Sequence, residues 1–165
     1  MPFLRPDARF TGVCAIDIER DLIGRGLTGL LLDIDNTIRS RETHDAPADV
    51  RAWLDDARSA GLRMCFVSNN WHADVHDFAE TVGMPIVAKA CKPLPFAFCA
   101  AMRHLGISRK QAVAIGDQLS TDIWGAHCAG IAGYLVDPLS DIDLSHTAVI
   151  RRFERALLAD VEPLR

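Results

Sequence analysis

Two aspartates, Asp33 and Asp35, stand at the end of an apolar run that reads LLLDIDNTI over residues 30–38. A carboxylate at the edge of a buried strand costs free energy unless a cation, a backbone donor or a metal ion pairs with it. Two further aspartates, Asp117 and Asp122, follow another apolar run. Carboxylates in this number suit a hard divalent cation such as Mg²⁺. The chemistry that such a set supports is phosphoryl transfer, in which a carboxylate can serve as the nucleophile.

Other apolar runs also end in polar residues. Ser68 and Asn69 follow one run, and Lys92 follows a shorter one. Each cluster has an ordinary alternative: DIDNT as an Asx turn, SNN as a turn before a helix, and GDQLSTD as a turn with helix N-caps. A lysine and a hydroxyl beside the acids would, however, stabilise the negative charge of a phosphoryl transition state. The convergence of all these residue types indicates an active site.

Strand and helix patterns alternate along the chain. The predicted strands are TGLLLDI, LRMCFV, PIVA, QAVAIG and AGYLVD, and the predicted helices between them are PADVRAWLDDARSAG, HADVHDFAETVG, PLPFAFCAAMRHLG and STDIWGAHCAG. All-apolar strands with short connections to helices predict an α/β fold, a three-layer Rossmann-like parallel sheet with helices on both faces. Ligands bind at the carboxyl ends of the strands in such sheets, which would bring the polar clusters to one edge.

Composition excludes several classes of protein. The 165 residues are 49% apolar and 24% charged with a formal net charge of -4, as expected for one globular domain and not for a polyanion binder, so no nucleic-acid partner is expected. No apolar run approaches the roughly 18 residues of a membrane span, and the first residues carry no signal-peptide pattern. The five cysteines form no CxxC pair, and we interpret them as small core residues of a cytoplasmic protein.

The order of the motifs resembles the haloacid dehalogenase (HAD) superfamily of phosphohydrolases. The residues that carry the resemblance are DIDNT, the serine of SNN, KP and GDQLSTD. A closer similarity, to the YqeG family of HAD subfamily IIIA, includes FLRPD near the N-terminus and GLTGLLLDIDNTI. The resemblance implies a Mg²⁺-dependent phosphomonoester hydrolase that forms an aspartyl phosphate.

The resemblance also implies a role for each matching residue. Asp33 would be the nucleophile, and Asp35 would protonate the leaving oxygen and then activate water. Mg²⁺ would be held by Asp33, Asp117 and the backbone carbonyl of Asp35, with Asp122 as an outer acid. Ser68 would donate a hydrogen bond to the phosphate, and Lys92 would bridge it to Asp33. Thr37 would support the turn after the first strand, Asn69 would line the rim of the site, and both are grouped with the phosphate-binding positions.

The spacing of the motifs predicts an open site without a cap domain. Asp35 and Ser68 are separated by 32 residues, and Ser68 and Lys92 by 23. Each gap already contains a helix and a strand, so neither can hold a second folded unit. An open site favours a large or surface-bound phosphate ester, or a partner chain that completes the pocket. YqeG-like proteins are similar to phosphatidylglycerophosphate phosphatases, which implies a phospholipid substrate. The alternatives are a soluble sugar, nucleotide or protein phosphate, and a non-catalytic HAD-like scaffolding module.

A single domain is expected over residues 1–165, with an N-terminal arm (1–26), a catalytic core (about 27–137) and a C-terminal helix (about 148–160). The arm carries apolar and basic side chains, namely Phe3, Leu4, Arg5, Arg9, Phe10 and Val13. Two interpretations remain open. The arm packs on the domain or on a second subunit, as in a homo-oligomer, or it makes a peripheral contact with the inner face of a membrane.

Overall fold

One parallel sheet organises the chain, and the computed structural model describes residues 4–140 and 162–164. The strands of this part are Ala8–Phe10 (β1), Gly29–Leu32 (β2), Arg63–Val67 (β3), Ile86–Val87 (β4), Ala112–Gly116 (β5) and Ala132–Val136 (β6). The α-helices are Ala48–Ser59 (α1), Ala73–Val82 (α2), Phe96–Leu105 (α3) and Trp124–Ala129 (α4). The sheet order is β1-β6-β5-β2-β3-β4, and every neighbouring pair is parallel. This order places β2, the strand that leads to Asp33, in the middle of the sheet.

Helices cover both faces of the sheet, which confirms the predicted three-layer α/β fold. Leu30 and Leu32 of β2 pack in one core with the buried side chains of α1 and α2. Leu31 packs on the opposite face with the buried side chains of α3 and α4. Alternation along a strand sends successive side chains to opposite faces, so a strand in the centre of the sheet must be apolar throughout. The described connections between the motifs are taken up by these elements, and no separate cap domain stands among them.

Two helices end at the glycines where the sequence predicts that they end. α2 and α3 stop at Gly83 and Gly106, whose φ angles of 69° and 62° are in the left-handed region that glycine adopts readily. The predicted helix STDIWGAHCAG differs in detail, because it begins as a π-helical turn over Leu119–Ile123 before α4 starts. Insertions of this kind occur often beside functional sites.

The N-terminal segment is part of the domain core and contributes a strand that sequence reasoning missed. β1 pairs with β6, and the Arg9 guanidinium makes an ion pair with Asp137 at 2.9 Å. Phe10 and Val13 are fully buried, and the Phe10 ring lies 5.6 Å from the ring of Tyr134. The interpretation in which Phe10 and Val13 enter a membrane is therefore wrong, because both side chains are enclosed by the core.

The cysteine interpretation also needs correction. Cys65 is buried as expected, but Cys14, Cys91 and Cys128 are exposed. Short stretches with apolar neighbours do not distinguish a buried position from a loop or a helix surface, and this is why the pattern misled. The predicted C-terminal helix (about 148–160) lies outside the described residues. At the C-terminal end, the amide of Leu164 donates a hydrogen bond of 2.7 Å to the carbonyl of Arg9.

Replacing Phe10 tests whether the N-terminal strand belongs to the core. We expect Phe10→Ala to lower the free energy of unfolding by about 3–5 kcal/mol, because it removes a fully buried ring and leaves a cavity. The measurement is urea unfolding followed by circular dichroism. The matched control is Phe96→Ala, since Phe96 is 73% exposed and should change stability by about 0.5 kcal/mol or less. Equal stability of the two variants would show that β1 is dispensable.

Candidate active site

The ammonium group of Lys92 is the centre of a buried charge cluster at the carboxyl edge of the sheet. Its Nζ lies 2.5 Å from Oδ1 of Asp33 and 2.6 Å from Oδ1 of Asp122. The side chain of Lys92 is 3% exposed, and those of Asp33 and Asp122 are 12% and 4% exposed. A buried cation is tolerated when it is paired, and charge-assisted hydrogen bonds of this length are strong. The sequence-predicted Asp33, Lys92 and Asp122 therefore come together as one unit.

The loop that carries Lys92 is clamped to the end of β3. The amide of Lys92 donates to Oδ1 of Asn69 at 2.7 Å, and Nδ2 of Asn69 donates to the carbonyl of Lys92 at 3.2 Å. Two backbone bonds, from Lys89 to Asn70 and from Ala90 to Ser68, join the same two loops. Asn69 was predicted to lie beside the phosphate, but its amide is committed to the main chain of Lys92. The geometry makes it a support for the lysine.

Asp117 and Asp122 reach the cluster from the segment after β5. Asp117 is buried and lies 3.5 Å from the hydroxyl of Thr37, which donates to it. The Oδ2 of Asp122 accepts a hydrogen bond of 3.1 Å from the amide of Gln118. Gly116 makes this packing possible, because a Cβ at that position would come within 2.3 Å of the Asp122 carboxyl carbon. The GDQLSTD motif thus needs Gly116, because only glycine leaves room for the side chain of Asp122.

Burial and charge act against each other on the ionisable groups of this cluster. Burial raises the pKa of Asp33 to about 6, and the charge of Lys92 only partly offsets the effect of burial and of the nearby Asp122. Burial acts to lower the pKa of Lys92, but the charges of Asp122 and Asp33 outweigh it and leave that pKa above its ordinary value. Lys92 therefore keeps its positive charge, whereas the protonation of Asp33 changes with pH near 6.

The three acids could also hold a metal ion. One carboxylate oxygen from each of Asp33, Asp117 and Asp122 lies within 4.8 Å of the others. Within the described residues this is the one group of three or more histidine, cysteine or acidic side chains with such spacing. All its donors are carboxylate oxygens, which fits a hard divalent cation.

Asp35 points to a different set of partners. Nε and Nη2 of Arg39 lie 2.9 Å and 2.8 Å from its Oδ1, and Nδ2 of Asn70 donates to its Oδ2 at 3.1 Å. Arg39 also donates to Oδ2 of Asp74 at 2.9 Å. Sequence reasoning missed Arg39 and Asp74. A lone arginine after DIDNT carries no periodic signal, and Asp74 is 35 positions away from Arg39 along the chain.

Ser68 occupies its predicted place on the same edge. It is buried at the end of β3, and its Oγ accepts a hydrogen bond of 3.1 Å from the amide of Asn70. That contact uses an acceptor lone pair of the hydroxyl and leaves its proton available for donation. The serine hydroxyl can therefore serve an anion placed between it and Lys92.

Four large apolar side chains are exposed in the segments that follow the site residues along the chain. Trp71, Leu94, Phe96 and Trp124, together called the apolar collar below, are 66%, 51%, 73% and 44% exposed. Three of them stand two positions after a site residue, namely Asn69, Lys92 and Asp122. The fourth begins α3, just beyond the Lys92 loop. Across residues 4–140 and 162–164, no helix combines the length and apolarity needed to cross a membrane.

Comparison with known proteins gives matches to phosphatases in sequence. A HAD-hydrolase-like family model matches residues 89–138, the segment from the Lys92 loop to the end of β6. The probable phosphatase YqeG of Bacillus subtilis (strain 168) is 32% identical over 157 residues, which cover 95% of this chain and 91% of that protein. An identity of this level over nearly the whole of both chains is evidence of a shared family.

Solved structures agree in fold. The HAD phosphatase from Thermococcus onnurineus is similar with a TM-score of 0.53 and 21% identity, over 61% of this chain and 51% of that one. The cobalt-bound deoxy-D-mannose-octulosonate 8-phosphate phosphatase from Haemophilus influenzae has a TM-score of 0.53 and 12% identity, over 82% and 89%. With the motifs, the charge cluster and the similarity to the Bacillus protein, these findings establish that the chain belongs to the YqeG family of HAD-superfamily phosphatases.

Proposed function

We propose that this phosphatase is Mg²⁺-dependent, forms an aspartyl phosphate on Asp33, and acts on a phospholipid monoester such as phosphatidylglycerophosphate. The observation that supports the chemistry is the Lys92 ammonium held between Asp33 and Asp122. This arrangement fixes one oxygen of the nucleophile and supplies positive charge where a phosphoryl group would accumulate negative charge.

The proposed reaction has two steps. In the first, Oδ2 of Asp33 attacks phosphorus, because Oδ1 is occupied by Lys92, and the bond from phosphorus to the ester oxygen breaks. Asp35 gives its proton to the departing oxygen. In the second step Asp35 takes a proton from water, whose oxygen attacks phosphorus and releases inorganic phosphate from Asp33. Ser68 and Lys92 hold the phosphoryl oxygens in both steps.

The acidic cluster fits Mg²⁺ as the cofactor. Asp33 and Asp117 would bind it through their carboxylates and Asp35 through its backbone carbonyl, while Asp122 would remain on Lys92 as an outer acid. When bound, the ion would neutralise charge on the phosphate and on Asp33.

The apolar collar supports an amphiphilic substrate. A small, fully polar ester needs no apolar surface around the site, whereas acyl chains next to the phosphate could be buried against exposed tryptophan and phenylalanine side chains. The Nζ of Lys89 lies 5.7 Å from the centre of the Trp71 ring, so one edge of the collar also carries a positive charge for anionic head groups. The collar thus takes the place of the N-terminal arm as the surface that would meet lipid. A phosphorylated protein with an apolar segment is the second candidate, since the same collar could receive it.

Substituting the two motif aspartates tests the chemistry. We expect Asp33→Asn to abolish phosphate release from a panel of phosphomonoesters, because no nucleophile remains. Asp35→Asn should lower activity by about 10²–10⁴-fold, because general acid-base catalysis typically contributes a rate enhancement of that size. Thermal unfolding should show both variants to be folded, and the exposed Asp56→Asn is the matched control with full activity. Normal turnover by Asp33→Asn would place the nucleophile elsewhere.

Chelation and pH test the metal. We expect EDTA to silence the enzyme and Mg²⁺ to restore it. The pKa of Asp33 is raised to about 6 without metal, so a proton competes with the cation below that pH and not above it. The Mg²⁺ concentration for half-maximal activity should then be constant near pH 7 and above, and rise up to about tenfold per unit of pH below about 6. Full activity after exhaustive chelation, or half-activation that ignores pH, would count against this assignment.

Collar variants test the substrate class. We expect the double substitution Trp71→Ser and Phe96→Ser to lower hydrolysis of phosphatidylglycerophosphate in vesicles by about tenfold or more, because two large apolar contacts are lost. Hydrolysis of p-nitrophenyl phosphate should change little. Ile23→Ser, which removes an exposed apolar side chain outside the collar, is the matched control. If the wild-type protein hydrolyses soluble esters but not the lipid, a soluble or protein phosphate is the substrate.

A further inference from the structure

Arg39 is a buried arginine that the reaction described above does not use. Its side chain is 2% exposed, and it is among the largest fully buried side chains of the described residues. The turn after β2 folds it inward: its amide donates to the carbonyl of Ile34 at 3.0 Å, and its carbonyl accepts from the amide of Asn36 at 2.8 Å. Burying a guanidinium is costly unless carboxylates pair with it. The question is therefore what this arginine holds in place.

The contacts of Arg39 lead from helix α2 to the general acid. Its Nη2 donates to Oδ2 of Asp74 in the first turn of α2, and its Nε and Nη2 both contact Oδ1 of Asp35. Its guanidinium carbon lies 5.7 Å from the centre of the Phe78 ring, also on α2. One rigid helix therefore supports the arginine by a charge and by a ring, and the arginine supports Asp35.

The second oxygen of Asp35 faces a different kind of partner. Nδ2 of Asn70 donates to Oδ2, and Oδ1 of Asn70 accepts from the amide of His72 at 3.0 Å, which fixes the orientation of the amide. A guanidinium has donors only, so Oδ1 of Asp35 cannot carry a proton while Arg39 contacts it. Oδ2 has two lone pairs, of which Asn70 uses one. The transferable proton therefore belongs on Oδ2.

We propose that Arg39, anchored on Asp74, is a positioning residue that reserves Oδ1 of Asp35 and directs its Oδ2 to the leaving oxygen of the substrate. The inference rests on the proposed function, in which Asp35 is the general acid and base. As the ester bond breaks, the proton on Oδ2 passes to the departing oxygen and Asp35 becomes a carboxylate, whose charge Arg39 then stabilises. When water attacks the aspartyl phosphate, Oδ2 takes the proton back.

A comparison of two leaving groups separates this role from a structural one. Phenol is a poorer leaving group than p-nitrophenol, so phenyl phosphate depends more on proton donation. We expect Arg39→Met to lower kcat/KM about 100-fold for phenyl phosphate and less than about tenfold for p-nitrophenyl phosphate. Because water activation is also impaired, rapid mixing with p-nitrophenyl phosphate should show a burst of p-nitrophenol. Arg58→Met, which removes an exposed arginine paired with Asp55, is the matched control without either change.

Two further variants keep the test decisive if Arg39→Met does not fold. Arg39→Lys keeps the charge but cannot contact both carboxylates as a guanidinium does, so it should restore part of the loss on phenyl phosphate. Asp74→Asn keeps Arg39 and weakens its anchor, and it should widen the difference between the two esters by a few-fold. Equal losses on both esters with no burst would overturn the inference while leaving the proposed function intact. A wild-type protein that releases phosphate from neither ester and from no phosphatidylglycerophosphate vesicle would overturn the proposed function itself, and the inference with it.

Discussion

The active edge of this molecule depends on one buried ammonium group shared by two carboxylates. Lys92 can be buried because Asp33 and Asp122 neutralise it, and those acids can be ionised in a buried place because Lys92 is there. Three chain segments far apart in sequence must meet for this to happen. The parallel sheet brings these segments together, because the carboxyl ends of β2 and β5 and the loop of Lys92 lie at the same edge.

The roles proposed for Asp33 and Asp35 differ because their neighbouring side chains differ. Asp33 is held by a lysine whose charge is permanent, while Asp35 is held by an arginine and an amide outside that cluster. The two aspartates of one motif therefore have different hydrogen-bond partners, although a single residue lies between them. Environments that differ in this way allow one carboxylate to act as nucleophile and the other to exchange protons.

Much of this arrangement could be predicted from sequence, because strand ends, helix stops and acidic motifs are local patterns. Three features could not. β1 is a three-residue strand with Arg9 in its middle, too short to show a period, and its pairing with β6 is a distant contact. Arg39 has no partner visible near it in sequence except Asp35. The role of Asn69 depends on a main-chain contact with Lys92, and side-chain chemistry alone suggested a phosphate contact instead.

The pairing of β1 with β6 has a consequence for how the protein is made. Among the described strands β1 is synthesised before the others, but Arg9 meets Asp137 only after 128 further positions have been synthesised. Until then the Phe10 side chain lacks the ring of Tyr134, and the edge of β1 has no strand beside it. Contacts of such long sequence separation form late and slowly. Of the strands that the structure describes, β1 is thus synthesised before the others but is expected to be among the last to join the sheet.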